Sequence, residues 1–209
     1  MPEFSRWVRL MELTRSMPQT GYALVGLSKH DLSDLAQHHY LVTVIAWQLA
    51  RRVHSAGIPI NLTRVLECAL VHDLGELTGG DISTPYAKAN PDARAKAKAF
   101  EEANQLFISR FFGADEPYIQ KLFIDVNQTN SDESRLYKLA DYIEVTHYKL
   151  YVNRLSRNDV LLATNKIEAV LQKMLNPQIR AILTPIIEEW ANDLRLPPEE
   201  IFEEAKAAE

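Results

Sequence analysis

The chain has 209 residues, 46% apolar and 24% charged, which supplies one sizeable buried core and excludes a disordered polyampholyte. Its net charge of −5 excludes broad coating of nucleic acid, which needs a basic face, but allows a small phosphorylated substrate met by a metal ion and a few local cations. A single cysteine, Cys68, excludes an intrachain disulfide and a thiolate metal cage, and its apolar neighbourhood predicts a packing role.

In chain order, Phe4 to Ser16 carries Trp7, Val8, Leu10, Met11 and Leu13 at helical spacing, and Pro18 ends the pattern. Gln19 to His30, with Gly21 and Gly26, is expected to be an ordered loop. Ser33 or Asp34 can cap the next helix, which runs through Tyr40, Val44, Ala46, Leu49 and Val53 to Gly57. Thr63 is expected to cap a helix with Val65, Leu66, Ala69 and Leu70 leading to His72-Asp73. From Gly75 to Pro91 the glycines and prolines predict a short helical turn followed by a loop.

Helical periodicity resumes from Pro91, suited to a first-turn position, to Phe112. Pro117 opens a helix through Ile124, and Ser131 or Asp132 caps a long one through Tyr137, Ile143 and Leu150. Asn158 to Met174, Pro177 to Leu194 and a charged segment from Pro198 complete an all-helical prediction, with Pro197-Pro198 the best linker candidate. No alternating run is long enough for a strand, and there is no internal repeat. No stretch approaches the roughly 18 apolar residues of a membrane span, and Met1 to Leu10 has no apolar signal core, so a cytoplasmic location is expected.

Four metal-capable side chains stand out on these helices: His38 near the start of one, the adjacent His72-Asp73 near the end of the next, and Asp141 inside a third. Helical bundles build metal sites from inward-facing groups on facing helices. Two imidazoles and two carboxylates give sulfur-free N/O ligation that suits a divalent ion such as Mn, Co, Fe, Ni, Zn or Mg. Such an ion would leave positions for water and substrate oxygens, acidify a bound water and polarise a phosphoryl group. Glu76 follows His72 by four residues and would share its face if the helix continued, where it could orient or deprotonate that water. Asp81, on a glycine-preceded loop, could protonate the leaving oxygen or position the nucleophile.

Structural roles compete with these. The His-Asp dipeptide alone is weak, since His30-Asp31 repeats it in a segment that suits surface or capping chemistry. Asp141 lies between Leu139, Ala140 and Ile143, where a salt bridge to Lys138 is the competing role. His39 and His147 could add a second metal or a proton relay, but helix-surface or packing roles are favoured for both.

The order His38, then Ala-Leu-Val-His72-Asp73-Leu-Gly-Glu76, then Gly80-Asp81-Ile-Ser-Thr-Pro85, then Lys138-Leu-Ala-Asp141 resembles the HD-domain superfamily, and more narrowly its 5′-deoxynucleotidase-like branch, over roughly Pro18 to Arg154. The resemblance implies an all-α HD-domain bundle of about eight or nine helices, commonly a homodimer. It implies a single HD domain over 1–209, with a motif-bearing core at about 18–154 and a helical extension at about 158–209. It also implies metal ligation by His38, His72, Asp73 and Asp141, catalytic or substrate-contacting roles for Glu76 and Asp81, and hydrolysis of deoxyribonucleoside 5′-monophosphates by metal-activated water.

The chain departs from that branch at the phosphate. Gln19 and Val25 stand where arginines are usual, Gln37 where an acid is usual, and His39 where a small polar residue is usual. Tyr22 keeps the aromatic with which the branch discriminates against a ribose 2′-hydroxyl. Gln cannot reproduce the bidentate fork of Arg, so Lys138, and less so Lys88 and Lys29, are the candidate replacements. The expected substrate-binding set is therefore Tyr22, Gln19, Lys88 and Lys138. Two alternatives stay open: a nucleoside triphosphate hydrolase, and a non-catalytic nucleotide-binding HD module that signals through a partner. A two-metal phosphodiesterase would need further histidines between Asp73 and Asp141, and none occurs there.

Overall fold

Capping chemistry and apolar periodicity set nearly every helix boundary in the computed structural model, which describes residues 3–19, 22, 27–28, 32–79 and 81–194. The described α-helices are α1 (Glu3–Glu12), α2 (Leu35–Ser55), α3 (Leu62–Val71), α4 (Thr84–Ala89), α5 (Pro91–Ser109), α6 (Glu116–Gln128), α7 (Asp132–Tyr151), α8 (Arg157–Leu171) and α9 (Pro177–Asp193). Short 3-10 segments follow α1, α3 and α5, at Leu13–Arg15, Leu74–Glu76 and Arg110–Asp115. Among the described residues β-structure is limited to two isolated bridges, so the fold is all-α as expected. The expected loop residues Gly21, Val25, Gly26, Lys29, His30 and Asp31, and the segment from Pro197, lie outside the described residues.

Asp34 starts α2 by accepting a hydrogen bond from the Gln37 N–H at 2.8 Å, and Gly57, at φ 78°, supplies the left-handed residue just past its end. The cap of α3 is Asn61, not the expected Thr63: its side chain accepts from the Arg64 N–H at 3.0 Å, and its own N–H donates to Glu133 on α7 at 3.1 Å. Apolar spacing locates that helix correctly but does not separate two polar residues two positions apart; the partner on α7 decides. Ser131 begins α7 in a reciprocal capping box with Ser134.

The helices carrying the candidate site pack on one another at the centre, α2 against α7 and α3 against both. Small buried residues (Ala46 and Ala50 on α2, Ala69 on α3, Ala140 on α7) let the three backbones approach. Val42, Val53, Val65, Leu136 and Leu139 fill the remaining space. Asp132 ties α9 to the base of α7 by accepting from the backbone N–H of Leu175 at 2.7 Å and of Asn176 at 2.9 Å. The segment expected to be one turn and a loop contains a second short helix, α4, with Pro85 in its first turn.

Candidate metal centre and active site

His38 lies one turn into α2, and both its ring nitrogens are engaged. Its Nδ1 is 2.5 Å from Glu144 Oε2 on α7. Its Nε2 is 3.1 Å from His72 Nε2, 3.4 Å from Asp73 Oδ2 and 3.6 Å from Asp141 Oδ1. His72 Nε2 lies 3.4 Å from the same Asp73 oxygen. His38, His72 and Asp73 therefore meet, from the start of α2 and the end of α3, and Asp141 in the middle of α7 approaches them through His38.

Hydrogen bonds at the far side of each ring define what the near side offers. His72 Nδ1 is 2.8 Å from the Ala69 carbonyl, which can only accept, so that nitrogen carries the proton and Nε2 presents a lone pair. Glu144 does the same for His38. Two neutral imidazoles would thus point lone pairs at each other and at two carboxylates, an arrangement that needs a positive charge at its centre. The spacing suits a metal ion. Ligand atoms about 2.1 Å from one ion sit about 3.0 Å apart at an octahedral right angle and about 3.4 Å apart at a tetrahedral angle.

The electrostatics agree. Burial works against a charged His38 ring, yet hydrogen bonds to Asp73 and Glu144 and the field of Asp141 lift its pKa to about 10. A potential that holds a second proton on that ring attracts a cation to the same point. Burial opposes the charge on Asp73, but His72 and His38 hold its carboxyl well below the usual range. Asp141 is likewise held down against burial, chiefly by Lys138, whose Nζ lies 2.7 Å from Asp141 Oδ2. The salt bridge posed as an alternative to ligation coexists with it, since Asp141 Oδ1 faces His38 and Oδ2 faces Lys138.

Glu76 reaches this neighbourhood by another route than expected. α3 ends at Val71, and Glu76 sits on the 3-10 turn Leu74–Glu76, so it does not share His72's helical face. Gly75 makes the change of course possible: a Cβ there would lie 2.7 Å from Glu101 Cγ and 2.9 Å from the Glu101 carbonyl oxygen, so α5 packs directly on the turn. Asn104 of α5 also donates to the Gly75 carbonyl at 2.8 Å. Burial raises the Glu76 carboxyl to about 10, with Asp73, Asp81 and Glu101 adding to the effect. Asp81 is partly buried on the loop before α4.

Of the expected substrate-binding residues, Tyr22 and Lys138 border the cluster. The Tyr22 ring is buried 4.6 Å from that of Tyr148, and its hydroxyl has no hydrogen-bond partner among the described residues. Burial and the negative field of Glu144, Asp141 and Asp73 keep that phenol protonated. Gln19 is buried, its N–H donating to the Ser33 carbonyl at 2.8 Å, while Lys88 is exposed in the last turn of α4. His39 is buried with its ring 4.8 Å from that of His72, a packing position and not a helix-surface one. His147 is exposed and accepts from Trp190 Nε1 at 2.7 Å. Cys68 is fully buried, and burial, with Asp125, pushes its thiol up to about 12, as suits packing.

Two residues of the cluster were not anticipated. Glu144 falls three positions after Asp141 on the same face of α7, a spacing that could have found it. Glu101 has no such signal, because only the close approach of α5 at Gly75 brings it near; burial, then Asp73, raise its carboxyl to about 7.

Residues 26–190 match the profile of a family described as 5′-deoxynucleotidase YfbR-like. The chain belongs to the YfbR-like 5′-deoxynucleotidase family. It is similar to the 5′-deoxynucleotidase VV1113 of Vibrio vulnificus, 25% identical over 149 residues, covering 70% of this chain and 76% of that protein. To the 5′-deoxynucleotidase YfbR of Escherichia coli it is 26% identical over 140 residues, covering 66% and 70%. Among solved structures, a conserved hypothetical protein from Pyrococcus furiosus superposes with a TM-score of 0.64 at 19% identity, covering 91% of this chain and 98% of that one. The PH0347 protein of Pyrococcus horikoshii superposes with a TM-score of 0.63 at 20% identity, covering 90% and 96%. These two share the fold. Family membership makes this chain an HD-type phosphohydrolase, and the helical bundle with its His/Asp cluster suits that class.

Proposed function

We propose that the chain hydrolyses the phosphate ester of a nucleoside 5′-monophosphate, a deoxyribonucleotide foremost, at a divalent cation held by His38, His72, Asp73 and Asp141. The observation that supports this most is the convergence of His38 Nε2, His72 Nε2 and Asp73 Oδ2 within 3.1–3.4 Å, with both Nδ1 atoms already committed elsewhere. The names of the Vibrio and Escherichia relatives supply the substrate class. When bound, the cation supplies a Lewis acid that polarises the phosphoryl oxygens and makes water a better nucleophile at neutral pH.

The chain's own residues have separable roles. Glu144 holds His38 in the tautomer that leaves Nε2 free, and the Ala69 carbonyl does so for His72. Glu76 and Asp81 are the proton-transfer pair: as the bond from water oxygen to phosphorus forms and the bond to the 5′ oxygen breaks, one takes the water proton and the other protonates the departing alkoxide. Tyr22, whose hydroxyl is buried and unpartnered among the described residues, offers a donor to the substrate sugar, and in this reading Gln19, Lys88 and Lys138 are the groups assigned to its phosphate. The protein works as a cytoplasmic homodimer in this reading. Among the described residues no helix is long and apolar enough to cross a membrane, and Tyr40, Leu41, Val44 and Trp47 expose an apolar stripe on α2 fit to pack on a second copy.

The test is phosphate release from a panel of nucleoside monophosphates, triphosphates and simple esters with Mn or Co added. Metal-stimulated release from monophosphates, abolished in Asp73→Ala, is the expected result. Metal binding without release from any ester would replace this reading with a nucleotide-binding module.

A further inference from the structure

Asp73 and Asp141, both held ionised, add negative charge at the cation site, and a phosphate monoester brings close to two more. One divalent cation leaves that sum strongly negative, so a substrate phosphate needs protein cations as well. Most nearby cations are already committed: Lys138 to Asp141 at 2.7 Å and Lys149 to Asp159 at 2.6 Å. Arg64 pairs with Asp125 at 3.1 Å and Arg135 with Asp132 at 3.2 Å. Lys166, on α8, differs. It is half-buried, and no carboxylate lies within ion-pair distance of its Nζ among the described residues.

What holds Lys166 is Tyr142, the residue after Asp141. Its Nζ lies 5.0 Å from the centroid of that ring, and Lys138 Nζ lies 5.2 Å from the same centroid. Two ammonium groups are therefore gathered at one aromatic side chain beside a proposed metal ligand. Cation–π attraction holds each one in place, but their mutual repulsion opposes it. Burial lowers the Lys166 pKa, and Lys138, Lys88 and Lys149 push it the same way against Asp141, which puts three further lysines within electrostatic reach of Lys166. Lys138 already has Asp141 as its counter-ion, and the same carboxylate acts on Lys166 only from beyond ion-pair distance, so Lys166 is the ammonium left to meet an incoming anion.

We infer that Lys166, with Lys138, forms the edge of the site that takes the non-bridging oxygens of the substrate phosphate. This rests on the phosphohydrolase reading above and names a residue that the motif does not contain. Tyr142 is the positioning residue, fixing both stems so that little side-chain entropy is lost when phosphate binds.

The decisive probe is inorganic phosphate titrated calorimetrically into metal-loaded protein, alongside steady-state kinetics on a deoxynucleoside monophosphate. Lys166→Met keeps the aliphatic stem on Tyr142 and removes only the charge. It should weaken phosphate binding about tenfold and lower kcat/KM similarly, mostly through KM, with metal content and melting temperature close to wild type; Lys166→Arg should restore most of both. Phosphate binding within twofold of wild type in Lys166→Met overturns the inference, as does a fall in melting temperature with phosphate binding intact, which would make the contact structural. Failure of the wild type to bind phosphate at millimolar concentration also overturns it. Lys166-dependent phosphate binding in a protein that turns over no ester would leave this inference standing and remove the hydrolase reading instead.

Discussion

Replacing Glu144 tests whether the cluster is a metal site organised from behind. Its Oε2 sits 2.5 Å from His38 Nδ1, a short charge-assisted contact inside the protein. Groups that orient a metal-bound histidine from its far side are typically worth 10- to 100-fold in metal affinity, about 1.4–2.7 kcal/mol. Glu144→Gln keeps the volume and one acceptor oxygen, so the tautomer survives and only the charge is lost; about tenfold weaker metal binding is expected. Glu144→Ala leaves Nδ1 without a partner in a buried site and should approach 100-fold. The assay is competition against a chelator of known affinity, with circular dichroism to confirm folding. Wild-type metal affinity in both folded variants would refute the reasoning, because the His38 ring would then need no help to present Nε2.

Two other perturbations probe the turn that delivers Glu76. Gly75→Ala would drive a Cβ to 2.7 Å from Glu101 Cγ and 2.9 Å from backbone oxygen, so α5 or the turn must shift; a cost of about 1–3 kcal/mol is expected in chemical denaturation, with a drop in turnover exceeding the loss of metal. An unchanged denaturation midpoint would show that α5 is not packed on the turn. Burial, with the field of Asp73, raises the Glu101 carboxyl to about 7, so between its ordinary value near 4.5 and about 7 the folded state binds more protons than the unfolded one, and stability must fall as pH rises through that window. Metal-free Glu101→Gln should therefore be more stable than wild type at pH 8, by on the order of 1 kcal/mol, and no more stable at pH 4. Equal pH dependence of the melting temperature in the two proteins would count against Glu101 sharing the field of Asp73.

The helices were legible because each announces itself locally. Asp34, Ser131 and Pro91 stand where helix starts want them, and the apolar spacing of α2, α3 and α7 marks the faces that become the core. The cation cluster was legible for a related reason: a carboxylate at Asp141 among Leu139, Ala140 and Ile143 requires compensation, which Lys138 supplies in part and a cation shared with His38, His72 and Asp73 would complete. What stayed hidden depends on contacts between elements. Asn61 outcompetes Thr63 as a cap because Glu133 of α7 takes its N–H. The course from His72 to Glu76 turns on a glycine that admits α5, and neither propensity nor spacing encodes that. Lys166 belongs to the same class, since only the packing of α8 on α7 puts it over Tyr142.

The division between the two kinds of residue bears on how this chain can keep family chemistry with an altered phosphate side. The proposed cation ligands come from α2, α7 and the end of α3, whose buried faces pack together, so shifting any one of them would disturb the central core. Lys88 lies exposed on α4 and is not bound by that packing, whereas Gln19 is buried ahead of α2. A phosphate-binding charge drawn from a different helix would leave those packed faces where they are. Tyr142 and Lys138 lie on α7 beside Asp141, and α8 brings Lys166 to the same Tyr142 ring. If phosphate recognition rests on that α7–α8 face, as inferred above, the metal-dependent step needs no arginine at position 19 or 25.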